Sequence, residues 1–196
     1  MSPSVALQLL KEGNQRFLSK KQIARDLLSQ VNDTATGQFP FAAILGCIDS
    51  RVPAEVIFDQ GIGDLFNTRI AGNFVNDDIL GSLEFACKVA GSKLILVLGH
   101  THCGAVKGAC DNVELGNLTG MLQKIKPAID SVTDIKDNRN SSNKEFVQKV
   151  ADKNVAMTIE NIKSRSTVLR EMYDSGEIDI VGGMYDIHTG KVSFDK

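Results

Sequence analysis

Two apolar runs, each ending in residues that can hold a metal, constrain this chain more than any other feature. Phe41–Leu45 opens the stretch FAAILGCIDSR, and Lys93–Gly99 (KLILVLG) runs directly into His100, His102 and Cys103. Both have the length and the bounding glycine of strands buried on both faces. In a parallel α/β sheet, chemistry gathers beyond the carboxyl ends of the strands, where neighbouring strands send their connections in opposite directions. Side by side, two such strands bring Cys47, His100 and Cys103 to one point, with Asp49 and Arg51 on alternate positions beyond the first.

Two thiolates and one imidazole suit Zn²⁺, and three protein ligands leave the fourth tetrahedral position open. No Cys-x-x-Cys pair is present to close the site as a structural one. Taken singly, Cys47 reads as a small core hydrophobe and His100 as a hydrogen-bonded core imidazole; taken together with Cys103 they read as ligands. Asp49 and Arg51 read either as an ordinary ion pair at a strand end or as an oriented carboxylate beside the metal. In the second case Arg51 forks onto Asp49, holds its pKa low and leaves it an acceptor for the proton of a water or hydroxide.

At 196 residues the natural expectation is one α/β domain spanning 1–196. Lys+Arg 22 against Asp+Glu 24, with no basic patch, excludes nucleic acid as the expected partner. No apolar run approaches the ~20 residues of a membrane span. Four cysteines (47, 87, 103, 110) in a chain this long are not a disulfide framework. The N-terminus enters a helix without the apolar core of a signal peptide, so a cytoplasmic protein is expected, a removed secretory leader being the alternative.

Ser2-Pro3 starts a helix on which Val5, Ala6, Leu9, Leu10, Gly13 and Phe17 form one apolar stripe. This N-terminal arm (1–35) is expected to lie on a partner subunit, and residues 19–37 read as polar and less regular. After strand one (41–46) come a helical turn over 52–58, a tight turn at 61–64 and a strand at 65–70. Asp77 or Asp78 caps a helix whose inner face is Ile79, Leu80, Leu83, Cys87 and Ala90, stopped by Gly91. Strand three (93–99) feeds a short helix at 104–110. A helix over 117–132 is expected to kink at Pro127, and 134–143 is a polar loop. Helices at 144–163 and 167–175, with Ser166 a cap, precede a fourth strand (178–185) and a closing strand (191–194). Cys87 and Cys110 read as packed core, His188 as a turn residue, and His102 as a loop imidazole or a proton shuttle.

Cys47-x-Asp49-Ser50-Arg51, Phe66-x-x-Arg69-x-Ala71-Gly72-Asn73 and His100-x-x-Cys103-Gly104 together resemble the β-class carbonic anhydrases. The resemblance runs from the first helix to the last strand and includes Asn161-Ile162, Arg165-Ser166 and the Gly182–Gly190 segment. It implies a Rossmann-like sheet of four parallel strands, order 2-1-3-4, with a short antiparallel strand and flanking helices. It also implies one Zn²⁺ per chain on Cys47, His100 and Cys103, and reversible hydration of CO₂ to bicarbonate by a zinc-bound hydroxide. Asp49 and Arg51 are then the catalytic pair. Gln38, Phe66, Ala71 and Gly104 fall at substrate-binding positions, Gln38 reaching across a subunit interface. The implied assembly is a homodimer or a dimer of dimers. Two thiolates on the metal shift the expected activity toward neutral and alkaline pH.

Members gated by bicarbonate carry a Trp where this chain has Ile44, although Gly46 and Tyr185 match that subgroup, so an always-open site is expected. Two rivals share the site: a hydrolase of carbonyl sulfide or carbon disulfide on the same fold, and a zinc-binding protein without catalysis. A zinc deaminase is disfavoured by the missing H-x-E and P-C-x-x-C signatures.

Overall fold

In the computed structural model, which describes residues 1–195, β1 (Ala42–Gly46) and β3 (Leu94–His100) lie side by side in the middle of a five-stranded sheet. The expected domain limit at Lys196 lies outside the described residues. β2 (Leu65–Arg69) flanks β1, β4 (Asp179–Tyr185) flanks β3, and β5 (Val192–Phe194) closes the far edge. All pairs are parallel except β4 with β5, so the order β2-β1-β3-β4-β5 is the one the resemblance implied.

Every residue of β1 and β3 is buried because helices cover both faces of the sheet. Ala43, Leu45, Ile95 and Val97 face α4 (Asp77–Glu84), α8 (Lys144–Arg165) and α9 (Thr167–Asp174). Ala42, Ile44, Leu94, Leu96 and Leu98 face α1 (Pro3–Leu18) and α3 (Ala54–Ile57). The continuous apolar runs of the sequence are thus the period-2 alternation of two cores superposed on one strand. A third cluster lies beyond the strand ends, built from α5 (Gly104–Cys110), α6 (Gly116–Leu122), α7 (Lys126–Ser131) and the N-terminal half of α8.

The N-terminal helix finds much of its cover within its own chain. Its buried positions are Ala6, Leu10, Gly13 and Asn14, whereas Val5, expected in the stripe, is exposed. Contact is so close that a Cβ on Gly13 would lie 1.7 Å from the Phe58 carbonyl oxygen. Asn14 donates to the carbonyls of Ile57 and Gly190 and accepts from the Val192 N–H, joining the helix to β5.

Three other expectations are corrected. Residues 19–37 contain a helix, α2 (Leu27–Thr34), capped by the Asp26 carboxylate accepting from the Ser29 N–H. None of its residues is buried, so no helical stripe faces a core of this chain. The helix expected over 117–132 is two: Pro127 stands in the first turn of α7, where its missing N–H breaks no hydrogen bond, and starts a helix instead of kinking one. Asn76, not Asp77 or Asp78, caps α4, which continues into a π-helical turn at Phe85–Val89. Cys87 and Cys110 are packed as expected, and burial raises their thiol pKa values to about 12 and about 11. No helix of the described residues is long and apolar enough to cross a membrane.

Asp59, in the loop that follows α3, ties the arm to that loop. Its side chain, 3% exposed, accepts from Arg16 Nε and Arg25 Nη1, both at 2.5 Å, and from the Ile23 N–H. Burial alone pushes the carboxyl up, but the two guanidiniums and the amide outweigh it and hold it below its ordinary value. A depressed folded-state pKa stabilises fully above the unfolded value of ~3.9 and is lost as pH falls through the lower folded value. Asp59→Asn is therefore expected to cost about 1.5–3 kcal/mol at pH 7, the worth of a hydrogen bond to a charged group. Thermal melts should show the gap from the parent closing in strong acid; an equal gap at both extremes contradicts the assignment.

Candidate metal centre

The strand register places the site. β1 sends its connection to β2 on one side and β3 sends its own to β4 on the other, so the switch point lies between β1 and β3. Gly46 pairs with Leu98, so Cys47 and His100 leave the sheet at nearly the same level. Cys103 follows one tight turn later, with His102 at φ +57° inside that turn, and immediately precedes α5.

Cys47, His100 and Cys103 are all buried, and their donor atoms lie within 4.8 Å of one another. The two Sγ atoms are 3.9 Å apart. Two thiolates at ~2.3 Å on a tetrahedral ion lie about 3.8 Å apart, so the spacing fits. His100 Nδ1 is 3.0 Å from the Thr101 carbonyl oxygen, which makes Nδ1 the N–H and leaves the Nε2 lone pair free. That Nε2 is buried without a hydrogen-bond partner, an orphan that a metal ion resolves. Between the thiols, the hydrogen bond from Cys103 lowers the Cys47 pKa while the same contact and burial raise that of Cys103. One proton is easily lost; the second needs the charge of a cation.

The Asp49–Arg51 pair forms. Arg51 Nε and Nη2 donate to Oδ1 and Oδ2 at 2.8 and 2.6 Å, and the Arg51 N–H also reaches Oδ1. These bonds hold the Asp49 carboxyl well below the usual carboxylate range. Oδ2 stands 3.8 Å from His100 Nε2, beside the cluster but not hydrogen-bonded to it.

Four supporting groups carried no assigned role at the sequence level. Arg69 donates through Nε to the Cys47 carbonyl at 2.7 Å and through Nη2 to the Asp49 carbonyl, fixing the loop that carries both side chains. Thr101 supplies the carbonyl that orients His100. Gly72 donates its N–H to Cys47 Sγ at 3.4 Å, and Asn154 of α8 donates to the Gly72 carbonyl. Gly72 and Arg69 are visible in the sequence as part of a motif; Asn154 has no sequence signal.

The other expected site residues divide. Ala71 adjoins Gly72 and is partly buried, and Gly104 is exposed at the start of α5 with open space where a Cβ would stand. Phe66, on β2, pairs with Ala43 of β1, short of the strand end, and its ring meets Phe85 edge-on at 6.1 Å. Gln38 is exposed before β1, at the opposite end of that strand from Cys47. The structure thus does not bring Gln38 to the cluster of its own chain. Ile44 and Tyr185 are buried in the same core layer. His102 meets the His188 ring edge-on at 5.0 Å.

The carbonic anhydrase family model matches residues 42–192. Carbonic anhydrase 2 of Mycobacterium tuberculosis is 35% identical, over 97% of this chain and 91% of its own length. A carbonic anhydrase of Mycolicibacterium smegmatis is 34% identical over 97% and 92%. Among solved structures, a β-carbonic anhydrase of Aspergillus fumigatus superposes with a TM-score of 0.76 at 26% identity, covering 98% of this chain and 90% of that one. A tetrameric β-carbonic anhydrase of Sordaria macrospora gives 0.71 at 26% identity, with 85% and 89% covered. Sheet order, metal-binding cluster and sequence kinship agree: the chain belongs to the β-class carbonic anhydrase family, whose activity is the reversible hydration of CO₂.

Proposed function

We propose that this chain hydrates CO₂ as a zinc enzyme, with Cys47, His100 and Cys103 as the metal ligands and Asp49 and Arg51 as the catalytic pair. The orphaned His100 Nε2 facing two thiols at tetrahedral spacing supports the metal. An ion held by these three residues would supply Lewis-acid chemistry, making a water acidic enough to act as nucleophile near neutral pH. Asp49, held beside the cluster, is placed to accept a hydrogen bond from such a water and would orient its lone pair. Arg51 holds the carboxylate in one rotamer and keeps it ionised through neutral and mildly acidic pH. Ala71 and Phe66 offer apolar surface for CO₂, the open space at Gly104 admits it, and Gln38 serves the site of a second subunit.

The single observation that carries this reading is the two-pronged Arg51–Asp49 pair standing beside an unpartnered ligand nitrogen. Stopped-flow CO₂ hydration on protein of measured zinc content tests it. A rate that scales with zinc is expected; release of sulfide from carbonyl sulfide faster than CO₂ hydration overturns the substrate assignment. Four free, buried cysteines fit a reducing compartment, which favours the cytoplasm.

The assembly we propose is a homodimer or a dimer of dimers. Ile23, Leu27, Leu28 and Val31 on and before α2 are exposed, as is Phe39 at 90%. Placing a charge at Leu28, which is 78% exposed, costs a lone chain almost nothing. Leu28→Glu is therefore expected to reduce the sedimentation coefficient with little change in melting of the separated chain. An unchanged coefficient removes α2 from the interface.

A further inference from the structure

Gly72 stands in the left-handed region at φ +83°, packed so that a Cβ there would lie 2.6 Å from Ile125 Cδ1. Its N–H points at Cys47 Sγ, 3.4 Å away, and its carbonyl accepts from Asn154 Nδ2 at 2.7 Å. Asn154 lies within α8, 4% exposed, among the buried neighbours Val150, Ala151, Val155 and Thr158. A buried amide on such a face is costly unless its hydrogen bonds are made. This one gives its donor to the residue that contacts a ligand sulfur, and the reaction derived above makes no use of it.

We propose that Asn154 is a positioning residue for the metal centre: it holds the Gly72 carbonyl and thereby aims the Gly72 N–H at the Cys47 sulfur. The N–H and carbonyl of Gly72 lie in the two peptide planes that meet at its Cα, related to each other only through φ and ψ. Because glycine has wide freedom of φ and ψ, an outside anchor on the carbonyl's plane narrows the φ, ψ pairs open to the turn and so the directions open to the N–H. The Ile70 carbonyl, accepting from the Asn73 N–H at 2.9 Å, closes the turn locally, and the Asn154 amide anchors it to α8. An N–H bonded to a thiolate withdraws charge from it and fixes its direction. Groups in this outer position typically change metal affinity by about 10–100-fold.

The inference rests on Cys47 being a metal ligand, and its test separates the two ideas. Asn154→Leu keeps the volume and removes the donor; Asn154→Ala cannot clash and gives the same readout should the leucine variant not fold. In chelator competition, zinc affinity is expected to fall at least about tenfold. In the cobalt-substituted protein, the thiolate-to-metal charge-transfer band is expected to shift. The readouts are affinity and spectrum and not melting, because replacing a purely structural asparagine would lower melting too. Zinc affinity within about twofold of the parent, well short of that effect, with an unmoved cobalt band, overturns the inference alone. Failure of the parent to hold one metal per chain overturns the metal-site reading and this inference with it.

Discussion

Cys47→Ser and Cys103→Ser are each expected to purify with less than about a tenth of the zinc of the parent chain, and with CO₂ hydration reduced in proportion. A serine hydroxyl is a hard, weakly acidic donor, and the borderline-soft ion prefers thiolate. The loss should be large because the site has no spare ligand: among the described residues, Cys47, His100 and Cys103 are the one cluster of three such groups with converging donor atoms. Elemental analysis decides the point. Near-full zinc in either variant removes the assigned site, whatever the activity.

Asp49→Ala is expected to keep its zinc and lose about 10²–10⁴ in kcat, the usual range for removing a positioned proton acceptor. Zinc should stay because Oδ2 is hydrogen-bonded to Arg51 and lies 3.8 Å from His100 Nε2, outside the ligand set. Arg51→Ala should be comparably slow for a different reason. Freed of its two guanidinium bonds, the Asp49 carboxylate is within a short side-chain rotation of the cluster and can take the open coordination position itself. X-ray absorption should then report an added oxygen ligand in Arg51→Ala and none in Asp49→Ala. Parent-like turnover in Asp49→Ala contradicts the assigned role, and parent-like turnover in Arg51→Ala shows that the pair does not govern the site. Since Arg51 holds the carboxyl below the usual range, Asp49 stays ionised down through mild acid. Acid loss of activity above that range must therefore arise elsewhere.

What could be read from the chain was whatever depends on periodicity and on short-range chemistry. The all-apolar runs at 42–46 and 94–98 required strands covered on both sides, and the covering helices of both faces are there. Asp49 and Arg51, two residues apart, could be paired on paper because the partner is local. Where the reading failed, the deciding contact was distant or the local rule had two outcomes. Pro127 serves equally as a kink or as a first turn, and only the packing of Ile125 and Ala128 into the third cluster selects the latter. α2 shows no core stripe because it buries none of its residues in this chain.

The sequence by itself determined the Cys47, His100 and Cys103 cluster, the carboxylate beside it and the strands that carry them. Each lies on or directly beyond a strand whose hydrophobic run leaves it no other place. Arg51 on Asp49 aside, the tertiary structure decided what holds those groups in position. Arg69 on the Cys47 carbonyl, Thr101 on His100, and Asn154 on Gly72 are single hydrogen bonds, two of them between residues far apart in the chain. Such a bond leaves no periodic trace. It becomes visible only when packing has brought a donor and an acceptor within about 3 Å of each other.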